Sequence, residues 1–464
     1  MNSAGAPSRS TAAKWLVAVS LLLALAVTVP SASSGTASSR GVLLTVAVSG
    51  KGKVTSSPKG IACRSKCRHR FPARSSVKLV AKPSAKWSFW KWSGRCAKRK
   101  GAKCTARMSA ARSVKAVFRL TIEIRPAPHH PRTLSTDAAK VLAYLGRLTN
   151  DTKPGVIVGQ SCRSMWSICD DAHYQDAIGR LHDQSGKWPG ILSLAYEDWR
   201  VHSSDELSSA NRQLTIPHWR AGGLMMISAA PVNPWAPDPK NPVYADTSIK
   251  YLGTDLRALL PGGSKRGRWL ATLNRYAGTL AKLRDAGIVV LWRPMQEMND
   301  TWYWWSKNAS SDKHGAYIAL WRDMFNYFTS VKRLDNLLWV FAPGGTPRAE
   351  SSWPYPGDEY VDVVAPTNYD NDLTIAAYSD ALAYGKPIGM SEFGPSALSS
   401  DLGANGSFDN RKYIERLSRD YPRVAFFVAW NSWEGVKMSL ADNLYANELM
   451  NDPRVLTREK VAWR

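Results

Sequence analysis

Acids are nearly missing from one part of this sequence. Between Gly41 and Arg125 there is a single acidic residue, Glu123, against 22 lysines and arginines, whereas from Pro126 onward 37 bases meet 36 acids. The net charge of +25 therefore sits in one segment, and two bodies with different surfaces share the chain. Long apolar runs are also missing after the first 29 residues, which excludes a later membrane-spanning helix. No glycine-rich phosphate loop follows the first strand-like run of the larger body, which argues against a doubly wound nucleotide-binding sheet. Cysteine is sparse, six in all, and falls into close pairs: Cys63 with Cys67, Cys96 with Cys104, Cys162 with Cys169. Such local pairs fit disulfides formed after export. The crowding of cations in CRSKC and CAKRKGAKC speaks against zinc. Four cysteines still permit three connectivities, so pairing by neighbours is an expectation.

What is present begins with an export signal. Arg9 and Lys14 precede the apolar stretch WLVAVSLLLALAVTV from Trp15 to Val29, and small residues follow around Ala32 and Ala37. Residues 1–37 read as a signal peptide and the protein as secreted or extracellular, with retention at a cell wall open. A cleaved signal and a short uncleaved anchor both fit. Twenty tryptophans are also present, and stacking on flat ligands is one use for them.

Residues 41–120 alternate apolar and polar positions in LLTVAVS, GKVTSSP, SVKLVAKP, FWKWSG and SVKAVF, with Gly, Ser and Pro between runs. That pattern predicts a small all-β module. The stretches LTVAVSGKGKVTSSPKGIACRSKC, SVKLVAKP, WSFWKWSGRC and SVKAVF resemble the divergent bacterial B-repeat of the internalin type, which implies an accessory module. Its Trp87, Trp90 and Trp92 stand among lysines. Two readings stay open for it: a surface for an anionic cell-wall polymer, or a cationic spacer without a defined site. Nucleic acid is not expected as a partner. A proline-rich linker spans residues 121–134.

From residue 135 to the last, 464, strand-like and helical patterns alternate. Eight apolar runs are PGVIVGQS, ILSLAYED, GGLMMISA, GIVVLWRP, LLWVFAPG, VDVVAPTNY, PIGMSEFG and VAFFVAWN. Helical stretches such as RWLATLNRYAGTLAKLRDAG separate them. Eight such units predict an α/β fold, a (β/α)₈ TIM barrel. Active sites of such barrels lie where the strands end. The runs end in Gln160 and Ser161, Glu197 and Asp198, Gln296 and Glu297, Asn368 with Tyr369 and Asp370, Glu392, and Trp430 with Asn431. A ring of amides, carboxylates and aromatics, with no histidine or cysteine at a strand end, suggests carbohydrate chemistry. Breaking a glycosidic bond needs a paired acid and nucleophile, and Glu297 with Glu392 is the candidate pair.

WRPMQEMNDTWYWW resembles the acid/base signature of glycoside hydrolase family 26, GMSEFGP its nucleophile strand, and VDVVAPTNYD its sixth strand. The resemblance implies a retaining, metal- and cofactor-independent barrel enzyme of the endo-β-1,4-mannanase type, acting on internal bonds of a polysaccharide, and a monomer. It further implies Glu297 as general acid/base, Glu392 as nucleophile, Arg293 and Tyr369 as groups that hold the nucleophile, Gln296 as a substrate contact, and Trp302 and Trp430 as sugar platforms. Glu197 and Asp198 read as structural or rim carboxylates.

Four positions depart from the family pattern. Gln296 stands for the histidine before the acid, Ala229 and Ala230 for the Trp-His after the third strand, and Asp300 for a glycine. The catalytic carboxylates remain while the groups that read the sugar have changed. Two rival readings follow: a carbohydrate-binding barrel with impaired catalysis, and a cell-surface adhesin acting through the basic module.

Overall fold

A computed structural model describes residues 41–85, 87–120, 132–150, 155–162, 169, 171–195, 210–235, 255–301, 303–306, 314–345, 353–375, 378–396, 404–433 and 435–464. Residues 1–37, read as an export signal, most of the linker, Glu197, Asp198 and Trp302 lie outside the described residues.

The eight apolar runs form the eight parallel strands of a closed barrel: β1 (Val156–Ser161), β2 (Ile191–Ala195), β3 (Leu224–Ala229), β4 (Val290–Pro294), β5 (Leu337–Phe341), β6 (Val363–Val364), β7 (Ile388–Met390) and β8 (Val424–Ala429). Each strand pairs with the next, and the seam closes where Ile157 of β1 lies opposite Phe426 of β8. Parallel strands covered on both faces read as unbroken apolar runs rather than alternating ones. All six residues of β1, β3 and β8 are buried. A short strand, Val455–Leu456, adds to the start of β1 outside the ring.

Helices pack against this barrel by one face. In the helix Arg266–Asp285 the buried Trp269, Leu273, Tyr276, Ala277, Leu280 and Leu283 recur at three- and four-residue intervals, the stripe that a helix presents to a core. Two strands extend past the ring after an interruption. Thr367–Tyr369 continues β6 beyond Pro366, and Glu392–Gly394 continues β7 beyond Ser391; the two continuations pair in parallel. Ser391 marks the break, its hydroxyl donating to Ala365 O at 2.6 Å and its N–H to Pro366 O at 3.1 Å.

Residues 41–120 form two packed sheets. The four-stranded sheet runs Lys66–Phe71, Val42–Ser49, Arg112–Leu120, Trp87–Gly94; the five-stranded sheet runs Ala62–Cys63, Gly52–Ser57, Ser76–Pro83, Lys103–Arg107, Lys98–Lys100. Leu44, Val46, Val54, Leu79, Val114 and Phe118 fill the layer between. Cys63–Cys67 joins one sheet to the other, and Cys96–Cys104 and Cys162–Cys169 complete the disulfides expected from the spacing. Trp92 is buried in this core and Trp87 packs against it, so the image of tryptophans interleaved with lysines on one surface does not hold for Trp92. No helix among the described residues is long and apolar enough to cross a membrane.

Candidate active site

Beyond Pro294 the chain turns sharply, and Met295 and Glu297 both take left-handed backbone angles, φ 47° and 55°. Side-chain-bearing residues hold that region only when their surroundings enforce it. Here both adjacent strands do so. Met295 N–H donates to Ala229 O at the end of β3 at 2.9 Å, and Glu297 N–H donates to Ala342 O just past β5 at 2.8 Å. Asn299 clasps the same turn to the end of β5, its Nδ2 donating to Gly344 O at 2.9 Å and its Oδ1 accepting from Gly344 N–H at 2.7 Å.

Glu297 so placed is buried, and Thr367 Oγ1 donates to its Oε1 at 2.6 Å. Thr367 is also the register partner of Glu392 in the paired continuations of β6 and β7, and parallel neighbours lie about 4.8 Å apart. One residue thus touches the first carboxylate with its side chain and stands beside the second with its backbone. Glu392, buried as well, accepts at both oxygens: Arg293 Nη2 donates to Oε1, and Tyr369 Oη donates to Oε2 at 2.5 Å. Arg293 is fully buried and held from the other side by Ser228 Oγ at 2.8 Å.

Two tyrosines share the surroundings of the carboxylates. Burial, then the charge of Glu392 and its hydrogen bond, push the Tyr369 hydroxyl well above the ordinary phenol range. Tyr303 is pushed up by burial first and then by the charges of Glu297 and Glu392 together. Both hydroxyls remain protonated donors beside the two acids.

The aromatic run after Glu297 divides unevenly. The consecutive Trp304 and Trp305 are both fully buried, with indole N–H groups donating to Pro231 O at 2.6 Å and Gln296 O at 2.8 Å. Tyr303 stacks on Trp305 at 4.3 Å between centroids and accepts from Gln296 Nε2 at 3.4 Å. The Gln296 Oε1 and Asn431 Oδ1 atoms are buried with no hydrogen-bond partner among the described residues. Sugar hydroxyls are donors that such acceptors would take. Trp430, half-buried, packs against the cluster of Ala404, Val436 and Met438, as do Tyr369 and Trp433.

Glu297, Glu392, Arg293, Gln296 and Tyr369 are therefore gathered at one end of the barrel, and Trp430 packs against the same small cluster as Tyr369. Three strand-end residues serve the scaffold instead. Gln160 Nε2 donates to Ser161 O and Trp430 O at 2.9 and 3.1 Å while its Oε1 accepts from Leu440 N–H at 3.0 Å. Asn368 donates to Thr374 O at 2.7 Å, and Asp370 accepts from the Asp372 and Thr374 N–H groups. Thr367, Ser228, Asn299 and Tyr303 were not singled out from sequence. The signal for Ser228 and Thr367 was one hydroxyl within a run of apolar residues. Among the described residues no group of three His, Cys, Asp or Glu side chains converges as a metal cage would require.

The family described as glycosyl hydrolase family 26 matches residues 131–460. The chain belongs to glycosyl hydrolase family 26. Within that family it is 36% identical over 287 residues to the mannan endo-1,4-beta-mannosidase A and B of Caldalkalibacillus mannanilyticus, a match covering 60% of this chain and 53% of that protein. The chain thus spans about half the length of that relative. It is 29% identical over 347 residues to the mannan endo-1,4-beta-mannosidase of Bacillus subtilis strain 168, covering 72% and 89% of the two chains. The solved structure of Bacillus subtilis mannanase man26 superposes with a TM-score of 0.59 at 25% identity, over 72% of this chain and 94% of that one. The family 26 region excludes the basic two-sheet unit, which lies before residue 131.

Proposed function

We propose that this glycoside hydrolase cleaves internal β-1,4-mannosidic or closely related β-glycosidic bonds with retention, using Glu392 as nucleophile and Glu297 as general acid and base. The observation that carries this reading is the unequal dressing of two neighbouring carboxylates. Glu392 accepts from a buried guanidinium and a phenol, and Glu297 Oε1 accepts from the neutral hydroxyl of Thr367. Paired acids in unlike surroundings are the mark of divided acid and nucleophile roles.

In the first step a Glu392 oxygen attacks the anomeric carbon and the glycosidic C–O bond breaks. Glu297 gives its proton to the departing oxygen, leaving a glycosyl ester on Glu392. In the second, Glu297 takes a proton from water, the water oxygen bonds to the anomeric carbon, and the ester bond breaks to restore Glu392. Arg293 and Tyr369 fix the attacking carboxylate, and Tyr369 is placed to bond its oxygen as charge leaves it. Gln296 Oε1 and Asn431 Oδ1 are acceptors for sugar hydroxyls, and Trp430 offers a platform. Trp302, from its place in the motif, offers a second. The partner is a mannan-like polysaccharide, the working unit a monomer, and the site of action extracellular.

The test is reducing-end release from mannan, glucomannan, mixed-linkage glucan and xylan, with the anomeric form of the first product followed by NMR. Glu392→Ala is expected to abolish release. Glu297→Ala should lose about 10²–10⁴-fold on polysaccharide and far less on aryl glycosides whose leaving group needs no proton. Near-normal polysaccharide rates in either variant, or an inverted first product, would overturn the assignment. Binding of mannan without hydrolysis by the wild type would support the impaired barrel instead.

A further inference from the structure

Residues 41–120 contain 21 lysines and arginines and no acid, so no ion pair can form within that unit. The strand register shows where those cations stand. In the five-stranded sheet Val54, Val77, Leu79, Ala81, Cys104 and Ala106 face the core. The alternate positions face outward, and six lysines and one arginine occupy them, all exposed. Lys53 lies directly opposite Lys82, and Lys100 directly opposite Lys103. Like charges placed opposite each other destabilise a sheet. With strands about 4.8 Å apart and alternate residues about 6.7 Å apart along a strand, the backbones of Lys53 and Lys82, of Lys100 and Lys103, and of Lys98 and Lys100 lie within the screening length of about 8 Å.

Guarding sheet edges against aggregation accounts for Lys98 and Lys100, which sit on an edge strand. It does not account for Lys78, Lys82 and Lys103, which sit on inner strands. Solubility does not account for them either, since it is served by charges of mixed sign. The four-stranded sheet is arranged differently. Its Lys66, Arg68 and Arg70 stand opposite Ala47, Thr45 and Leu43, with no cation facing a cation.

We propose that the outward face of the five-stranded sheet binds a flexible phosphodiester polymer of polyol units, and thereby holds the hydrolase at a surface carrying such chains. Three features select that chemistry. The face is lysine-rich, and lysine binds phosphate as a point charge without a fixed approach geometry, which suits phosphates spaced along a flexible chain. It presents no aromatic side chain between its cations, so nothing there stacks bases as single-stranded nucleic acid binders do. Thr55, Ser57 and Thr105 lie on the same face between the lysines and supply hydroxyls for a polyol.

The test uses the full chain and immobilised poly(glycerol phosphate), with affinity measured over a range of salt. Replacing Lys53, Lys78, Lys82, Lys98, Lys100 and Lys103 by Gln should weaken binding by about 30-fold or more and flatten its salt dependence. The same six positions changed to Arg should stay within about threefold of wild type, because the charge is kept. Hydrolysis of soluble mannan should be equal in all variants, which keeps this outcome separate from the catalytic assignment. The proposal is overturned if the Gln variant binds like wild type. It is also overturned if Lys66→Gln with Arg68→Gln and Arg70→Gln loses as much, or if wild type prefers duplex DNA or polygalacturonate at equal charge concentration.

Discussion

The hydroxyl of Tyr369 is fixed on Glu392 Oε2 at 2.5 Å while burial and that same carboxylate keep it protonated. A hydrogen bond to a charged group contributes about 1.5–3 kcal/mol, so Tyr369→Phe should lower kcat by roughly 10–100-fold, at 1.36 kcal/mol per tenfold. Retention of the full rate would remove Tyr369 from the site. Thr367 offers a subtler test. Its hydroxyl donates to Glu297 Oε1 and thus favours the ionised carboxyl. In Thr367→Val, whose shape is nearly the same, the alkaline limb of kcat/KM should move to higher pH, and an unmoved limb would show the contact to be incidental. Neither Thr367 nor Ser228 was legible in the sequence, because a single hydroxyl in a buried strand carries no spacing by which its direction can be read. Glu297 and Glu392 were legible because each stands where an apolar run stops, and Arg293 only through the resemblance of its motif to the family's.

At the scale of elements, the eight strands could be read because burial on both faces leaves no polar interruptions. The splitting of strands six and seven at Pro366 and Ser391 could not, since VDVVAPTNY and PIGMSEFG each read as one run. The left-handed pair Met295 and Glu297 was equally hidden, because neither is a glycine and the angles are imposed by contacts to β3 and β5. A third such residue, the exposed Arg333 with φ 52°, lies in the connection that leads to β5. Its side chain carries a left-handed penalty of about 1–2 kcal/mol. Arg333→Gly should remove that penalty, less the added freedom of the unfolded chain, for a net gain of about 0.5–1 kcal/mol visible in thermal melting. A lowered Tm would show that the side chain has a role there.

For the molecule as a whole, pH acts through His218, buried where the helix Ala210–Arg220 meets β3. A Cβ on Gly223 would fall 2.1 Å from its Nε2, so the histidine fits because that residue is glycine. Burial, with the positive charge of Arg458 added, lowers its pKa from 6.5 to about 3. The unfolded chain takes up a proton below about 6.5 that the folded one refuses, so stability is complete above that pH. It is lost progressively as pH falls toward about 3, at roughly 1.4 kcal/mol per unit within the window. Melting followed from pH 7 to 4 should show this slope for the wild type and a shallower one for His218→Gln. Equal slopes would place the acid sensitivity elsewhere. The charge division between the two bodies was visible in composition alone, but which face of a sheet gathers the lysines required the strand register.

The barrel seam has a consequence in time. Because β1 is completed only by β8, Ile157 must wait for Phe426, and hydrogen bonds between such distant residues form late. Until then β1 and β8 each present an unpaired edge to the surroundings. The barrel's first strand therefore stays open on that side until the residues around Phe426 have been made. On our reading of residues 1–37 as an export signal, that delay would leave the barrel open for threading while the chain is exported.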